Sequence, residues 1–462
     1  MALVCSVSIV GCSANSKKEK ALKEITFPSG IAKEKVRDAD TINDKSKWGP
    51  VGTHDPSVFK DGDTYYVFST DARVGGIATP GIQVRKSKDM INWEFVGQAL
   101  DGVPTEAYEW TGANGLWAPD VTKIGDYYYL YYAASSFGKN KSYIGLERSK
   151  SIAGPWENMG AVVKTDEGDE MNAIDPNIVY DQDGTPWMSY GSFWTGIYVV
   201  KLDKNTGKPV NSGDKGKNVA SRNKSVSGAV EGPYIIYNDK EKKYYLFESY
   251  DSLSKDYNIR VGRSEKIDGP YVDINGNDMT NTEVLPTEVG NKIMGGYKFS
   301  DGQGWLAPGH NSVLKEGENY YIYHHIRVEE DINWFSLNVR KIEWSKDGWP
   351  MVSPEKYAGE KEQKISKDAV PGDWDVIVLD KDNNDIIPSQ KYTFKSNGKT
   401  DKKDSAWSIE GDNDLILTIS SDADGKFECK ILPAWDWENN KATLVFTGIN
   451  KKGLAIWGKM SK

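Results

Sequence analysis

Apolar and polar positions alternate along this chain in one unit that returns five times. The unit reads HDPSVFKDGDTYYVFS from His54, APDVTKIGDYYYLYYAAS from Ala118 and IDPNIVYDQDGTPWMSYGS from Ile174. It reads VEGPYIIYNDKEKKYYLFES from Val230 and PGHNSVLKEGENYYIYHH from Pro308. Each copy is a short apolar strand, a polar turn rich in Gly, Asp or Lys, and a strand dense in Tyr. A second half follows with another strand and turn, as in GIQVRKSKDMINWEFVG, SYIGLERSKSIAGPWENMG and YNIRVGRSEKIDGPYVD. Copies three and five carry GIYVVKLDKNTGKPV and FSLNVRKIEWSKDGWPMV there. Strand-only self-similarity at long period predicts an all-β fold, a five-bladed β-propeller with four strands to a blade.

The repeats predict a propeller domain over residues 46–360, with residues 273–305 as a Gly- and Asn-rich insertion before the fifth head. Beyond it, the runs WDVIVLD, KYTFKS, DLILTIS, FECKIL and ATLVFTG predict a small C-terminal β-sandwich or barrel over residues 361–462. Residues 1–45 read as a leader and flexible tether, dominated after the apolar start by Lys, Glu and Asp.

A formal charge of −9 argues against nucleic acid as a partner, because phosphate binding needs a basic footprint. The 25 Tyr and 16 Trp suit strands and also flat surfaces on which sugar rings stack. Cysteines are few (Cys5, Cys12 and Cys429), so no disulfide framework is encoded. MALVCSVSIVGC resembles a bacterial lipoprotein signal with Cys12 as the lipidated residue, although no basic residue precedes the apolar run. An ordinary apolar leader is the alternative, and both export the protein. No other segment approaches the roughly 20 apolar residues of a membrane span.

The chemistry lies at the repeat heads: Asp55, Asp120, Asp175, Glu231 and His310. A propeller draws its heads toward one axis, so these groups are expected to converge. Proline is tolerated at a strand start, so the Asp-Pro pairs place Asp55 and Asp175 at strand mouths. A strand-capping aspartate explains one such pair; two pairs with Glu231 at a third head point to a carboxylate cluster. Glycoside cleavage needs such a cluster, one protonated acid and one ionised carboxylate. Glu231, in GAVEGPYIIY, has small and apolar neighbours that would desolvate it and favour its protonated form. Asp120 reads as a structural carboxylate lining the channel.

The heads HDP, WAPD, IDP, VEGP and GHNS resemble, in order, those of the family 43 glycoside hydrolases, in particular its endo-arabinanases. The resemblance spans about residues 50–355, and the tail resembles the β-domain of two-domain bacterial members. It implies inverting endo-hydrolysis of α-1,5-L-arabinofuranosidic linkages in the arabinan of plant pectin. By it, Asp55 is the general base, Asp175 the modulator of the acid and Glu231 the general acid. It also implies that His310 holds a calcium ion largely through water; without it, His310 reads as a satisfied channel histidine. Trp117, Phe193 and Trp194 are candidate sugar-stacking residues, with buried blade aromatics as the alternative. His324, His325 and Arg327 follow the fifth Tyr strand, and Arg327 is the one expected to reach substrate. The expected protein is an exported monomer, attached to a membrane only through Cys12.

Exo-acting arabinofuranosidases and β-xylosidases share these heads and are the first alternative; an open groove rather than a closed pocket separates endo from exo action. The retaining fructan-processing propellers are a second, but their WMNDP-like and EC-type motifs are absent. A non-catalytic glycan-binding propeller would keep the aromatics and lose one of the three acids.

Overall fold

The computed structural model describes residues 9–420 and 425–461, with side chains from Ser16 onward. Five antiparallel meanders form the blades of a propeller, and a curled seven-stranded sheet follows. The innermost strands are Ser57–Asp61, Trp117–Ile124, Asn177–Tyr180, Val230–Asn238 and Trp305–Glu316. In each blade the Tyr-rich segment is the second strand, as in Tyr127–Ala134, whose core rings sit between neighbouring sheets. The first four blades have four strands each. The long interval before the fifth head is more than an insertion: it supplies blade four's outermost strand, Asn291–Met294, and an edge strand, Tyr297–Lys298.

Side chains of four innermost strands, and Ser249 from the second strand of blade four, stitch the blades together around the axis. Ser57 Oγ donates to Asp120 Oδ1 at 2.6 Å, and Asp120 Oδ2 accepts from the Ile178 N–H at 2.6 Å. Asn177 Oδ1 accepts from the Ile235 N–H at 2.9 Å. Blade four joins blade five through the His310 N–H, which donates to Ser249 Oγ at 2.7 Å. The Val58 N–H closes the circle by donating to Ser312 Oγ at 3.2 Å. Every partner is buried except the His310 backbone's half-buried residue, so each bond replaces water that cannot reach it.

The tail sheet runs in the order Gln390–Phe394, Gly372–Leu379, Ala455–Met460, Lys441–Asn450, Lys426–Asp436, Asp414–Thr418, Ala406–Glu410. Bridges Phe394↔Thr400 and Lys399↔Ala406 draw its two edges together around Trp374, Phe394, Trp407 and Phe446. The other face shares a core with the propeller, where Trp457, Ile377 and Leu379 pack with Ile293, Met294, Tyr297 and Trp349. Ile387–Pro388 leaves the tail and pairs in parallel with Tyr297–Lys298 at the edge of blade five.

The tether expectation for residues 1–45 is corrected within the described residues. A helix spans Ile9–Lys23, and Ala21 and Ile25 are buried in the tail core beside Ile365 and Trp374. Thr26 and Gln363 exchange two hydrogen bonds of 2.8 Å, and Lys356 pairs with Glu34. Charge in this segment hid two apolar anchors, one in the last turn of the helix and one just past its end. Cys5 lies outside the described residues, and of Cys12 only the backbone is described.

Candidate active site

Aligned on the innermost strands, the five heads share one backbone device. Asp55, Ala118, Asp175, Gly232 and His310 occupy the same position, and all are left-handed, with φ of 51°, 38°, 61°, 59° and 44°. Four of them are not glycine, and each such residue costs roughly 1–3 kcal/mol. The stitching residues Ser57, Asp120, Asn177 and Ser312 lie two positions further on. This corrects the expected convergence of all five heads. Asp120 is out of register with Asp55 and Asp175, so it points into the stitching and is consumed there. Burial pushes its carboxyl up to about 7, against the hydrogen bonds from Ser57 and Ile178. Glu231 lies one position before the shared turn, level with His54 and Trp117.

Asp55, Asp175, Glu231 and His310 do come together. His310 Nδ1 lies 3.1 Å from Asp55 Oδ1, and Asp175 Oδ2 accepts from the Gly232 N–H at 3.0 Å. Asp55 also receives His54 Nδ1 at 2.8 Å and the Thr70 hydroxyl at 2.5 Å. Burial raises the Asp55 carboxyl, but His54 and His310 more than reverse this and hold it well below the usual range. Glu231 accepts from Ser192 Oγ and from the Tyr257 hydroxyl, each at 2.8 Å. Burial nevertheless raises it above its ordinary value. Asp175 is pushed up to about 7, by burial first and then by Glu231 and Asp55, with His310 opposing. His310 goes to about 9, because the three carboxylates outweigh the effect of its burial. Asp55 and Glu231 keep some exposure, whereas Asp175 is buried. The site therefore holds one carboxyl biased toward ionisation and one biased toward its protonated form within reach of solvent, over a buried third.

Arg327, expected to reach substrate, is buried with its donors taken up inside the fold. Its Nε donates to Leu253 O at 2.9 Å, its Nη1 to Ile332 O at 2.6 Å, and its Nη2 lies 3.0 Å from His54 Nε2. Arginine can only donate, so His54 carries its proton on Nδ1, where it serves Asp55. Arg327 thus positions Asp55 through His54. His325 stacks on His54 at 3.8 Å and is fully buried, as is His324, whose ring is lowered to about 3 by burial.

The candidate stacking residues lie at blade heads. Trp117 is half-buried, and Phe137, 81% exposed, tilts over it at 5.1 Å. Phe193 and Trp194 follow Ser192 with φ of 53° and 40°, and Trp194 is 39% exposed. Sequence reasoning missed His54, Thr70, Ser192, Tyr257 and Phe137. Only His54, adjoining Asp55, and Ser192, beside the Phe-Trp pair, carried any signal.

The chain matches the family described as "Glycosyl hydrolases family 43" over residues 49–350 and a "C-terminal lipocalin-like domain" over residues 354–458. An extracellular endo-α-(1→5)-L-arabinanase of Thermotoga petrophila is 32% identical, over 89% of this chain and 94% of the relative. An extracellular endo-α-(1→5)-L-arabinanase 2 of Bacillus subtilis is 31% identical, over 88% and 92%. The crystal structure of an endo-1,5-α-L-arabinanase from Thermotoga petrophila superposes with a TM-score of 0.80 at 30% identity, covering 89% of this chain and 99% of that one.

Proposed function

We propose that this chain, which belongs to glycosyl hydrolases family 43, cuts α-1,5-L-arabinofuranosidic linkages inside arabinan with Glu231 as acid, Asp55 as base and Asp175 holding Glu231 protonated. The observation that carries the division of roles is the opposed settings of the two solvent-reaching carboxyls. Asp55 is kept ionised by two histidines; Glu231 is biased toward its protonated form by burial.

In the reaction Asp55 takes a proton from water as the water oxygen bonds to the anomeric carbon. The bond from that carbon to the leaving oxygen breaks, and Glu231 gives that oxygen its proton. Water enters on the face opposite the leaving group, so configuration inverts. Asp175 supports this from beneath: the two neighbouring carboxyls oppose each other's ionisation, and its bond to the Gly232 N–H holds the turn that follows Glu231.

Calcium fits beside His310 only with water as the main ligand. His54, Asp55 and His325 bring two imidazoles and one carboxylate within 4.8 Å of one another, whereas calcium takes roughly six to eight oxygens. Both side-chain polar atoms of buried Asn311, next to His310, have no protein partner and suit ordered water. A bound ion would take the place of the imidazolium proton as the positive charge at the foot of the site, with His310 in its neutral form as its protein ligand.

The named relatives are extracellular, and so is the location assigned to this chain. Attachment through a lipid on Cys12 and a monomeric state complete the reading; the Ile-Val-Gly-Cys run supports the first.

The test is to incubate the protein with linear debranched arabinan and follow viscosity and product size together. A fast viscosity drop with mixed short oligosaccharides is expected. Slow release of arabinose alone would instead make the enzyme exo-acting.

A further inference from the structure

The tail domain reaches the wall of the active site through one loop, residues 380–388, which joins Gly372–Leu379 to Gln390–Phe394. Two buried cations of blade four hold that loop by its backbone. Lys292 Nζ donates to Asp380 O at 3.0 Å, Asn383 O at 2.6 Å and Asn384 Oδ1 at 2.9 Å. Arg260 Nη2 donates to Lys381 O at 2.8 Å. Buried ammonium and guanidinium groups are costly unless their donors are satisfied, so this docking is specific to the loop's shape.

From there the loop touches the segment that carries Tyr257. Asn384 Nδ2 donates to Asp251 Oδ2 at 2.8 Å, and the same oxygen accepts from Asn258 Nδ2 at 2.9 Å. Asp251 has φ of 74° and receives Arg222 Nη1 at 2.6 Å on its other oxygen, so it fixes the base of the 251–257 turn. Ile386 packs into a small cluster with Tyr257, Leu306, Ala307 and Leu253. The ring of Tyr257 lies directly on Gly309, where a Cβ would meet it at 1.9 Å, and stacks on His325 at 5.8 Å. Its hydroxyl donates to Glu231 Oε1 at 2.8 Å.

We infer that the tail domain takes part in catalysis, with Asn384 and Ile386 as positioning residues that set Tyr257 and, through it, the aim of the proton on Glu231. The inference rests on the reading of Glu231 as the acid. A carboxyl displaced by a fraction of an ångström still binds sugar but delivers its proton less often, so the effect belongs in kcat and grows with the leaving group's need for a proton.

The experiment uses the full chain with Asn384→Ala, Ile386→Ala, Ile386→Val and Glu231→Gln. Each is assayed on linear arabinan and on a dinitrophenyl glycoside of an arabino-oligosaccharide, whose leaving group departs without a proton. Asn384→Ala and Ile386→Ala are expected to lower kcat on arabinan roughly tenfold, to leave KM within about twofold, and to slow the dinitrophenyl substrate far less. Ile386→Val, which keeps the packing, should restore the arabinan rate. Equal losses on both substrates, or no loss on arabinan, overturn the inference. If Ile386→Ala does not fold, Asn384→Ala decides alone by the same criterion. Glu231→Gln separates the two levels. If it shows the leaving-group signature and the loop variants do not, only the role of the tail fails; if it slows both substrates alike, the acid assignment fails and the inference with it.

Discussion

Asp175 in blade three grips the turn beside the acid in blade four: its Oδ2 accepts from the Gly232 N–H, 3.0 Å away. One carboxyl therefore offers two things to Glu231, a titrating neighbour that opposes its ionisation and a handle on the turn beside it. Asp175→Asn keeps an acceptor and loses the titrating group, whereas Asp175→Ala loses both. We expect kcat on arabinan to fall roughly 100-fold in the first, with KM little changed. Asp175→Ala should also lower stability by about 1–3 kcal/mol, because a buried N–H is left without a partner. Activity and urea melts of the two variants side by side check both statements.

The carboxyls also set the limits of the pH profile. With the proposed roles, activity needs Asp55 ionised, so it falls on the acid side as pH drops through that group's lowered pKa. It needs Glu231 protonated, so it falls on the alkaline side as pH rises through a pKa raised by burial. Ser192 and Tyr257 donate to the ionised form of Glu231 and oppose that rise. Ser192→Ala should therefore move the alkaline limb of kcat/KM to higher pH and leave the acid limb in place. A downward move of that limb would contradict the assignment. Glu231→Gln should reduce arabinan cleavage by roughly 100- to 10,000-fold while oligosaccharide binding persists.

How much of this could be read from the sequence follows from distance along the chain. The blades are local, each a strand-turn-strand phrase within some twenty residues, and all five were legible in the alternation. The register between phrases was not. A strand shifted by two residues keeps the same apolar face, so Asp120 looks like a partner of Asp55 while facing its neighbours' strands. Arg327 fails for a related reason: nothing near it in sequence shows that His54, Leu253 and Ile332 will absorb its donors. The tail loop on blade four joins Asn384 to Asp251 across 133 positions, and no local pattern encodes that contact.

Asp120 yields a structural prediction that separates it from the proposed catalytic acids. Asp120→Ala strands the Ser57 hydroxyl and the Ile178 N–H at the axis and should cost about 2–4 kcal/mol. Asp120→Asn keeps an acceptor and should cost less. The sign of the pH effect is fixed: a folded carboxyl raised to about 7 binds its proton more tightly than in the unfolded chain, so its contribution is lost as pH rises toward 7. Melting temperatures of wild type and Asp120→Asn should thus draw closer between pH 4 and pH 8, or cross. A gap that widens against the variant over that range would show that Asp120 is ionised in the folded state.

The reading of a water-held calcium makes its own demand. Chelation should lower activity more than stability, since side-chain hydrogen bonds close the blades around the axis. Calcium, and not magnesium, should restore the rate, because magnesium gives up the geometry of its water shell reluctantly. His310→Ala should abolish that response. Full activity in the presence of excess chelator would remove the ion from the account.

Phe137 supplies the prediction that bears most directly on substrate. A phenyl ring 81% exposed to water gains nothing for the fold, yet it is tilted over Trp117 at the head of blade two. A sugar laid on that pair would cover both rings. Aromatic contacts of this kind contribute about 0.5–1.5 kcal/mol, which corresponds to a roughly 2- to 13-fold change in affinity. Phe137→Ala should raise KM for arabinan by a factor in that range, leave kcat nearly unchanged and leave the melting temperature unmoved. Calorimetric titration of Glu231→Gln, with and without Phe137→Ala, measures the same loss in the absence of turnover. Unaltered binding in the double variant would place the polymer elsewhere on the propeller face, with Trp194 as the next ring to test.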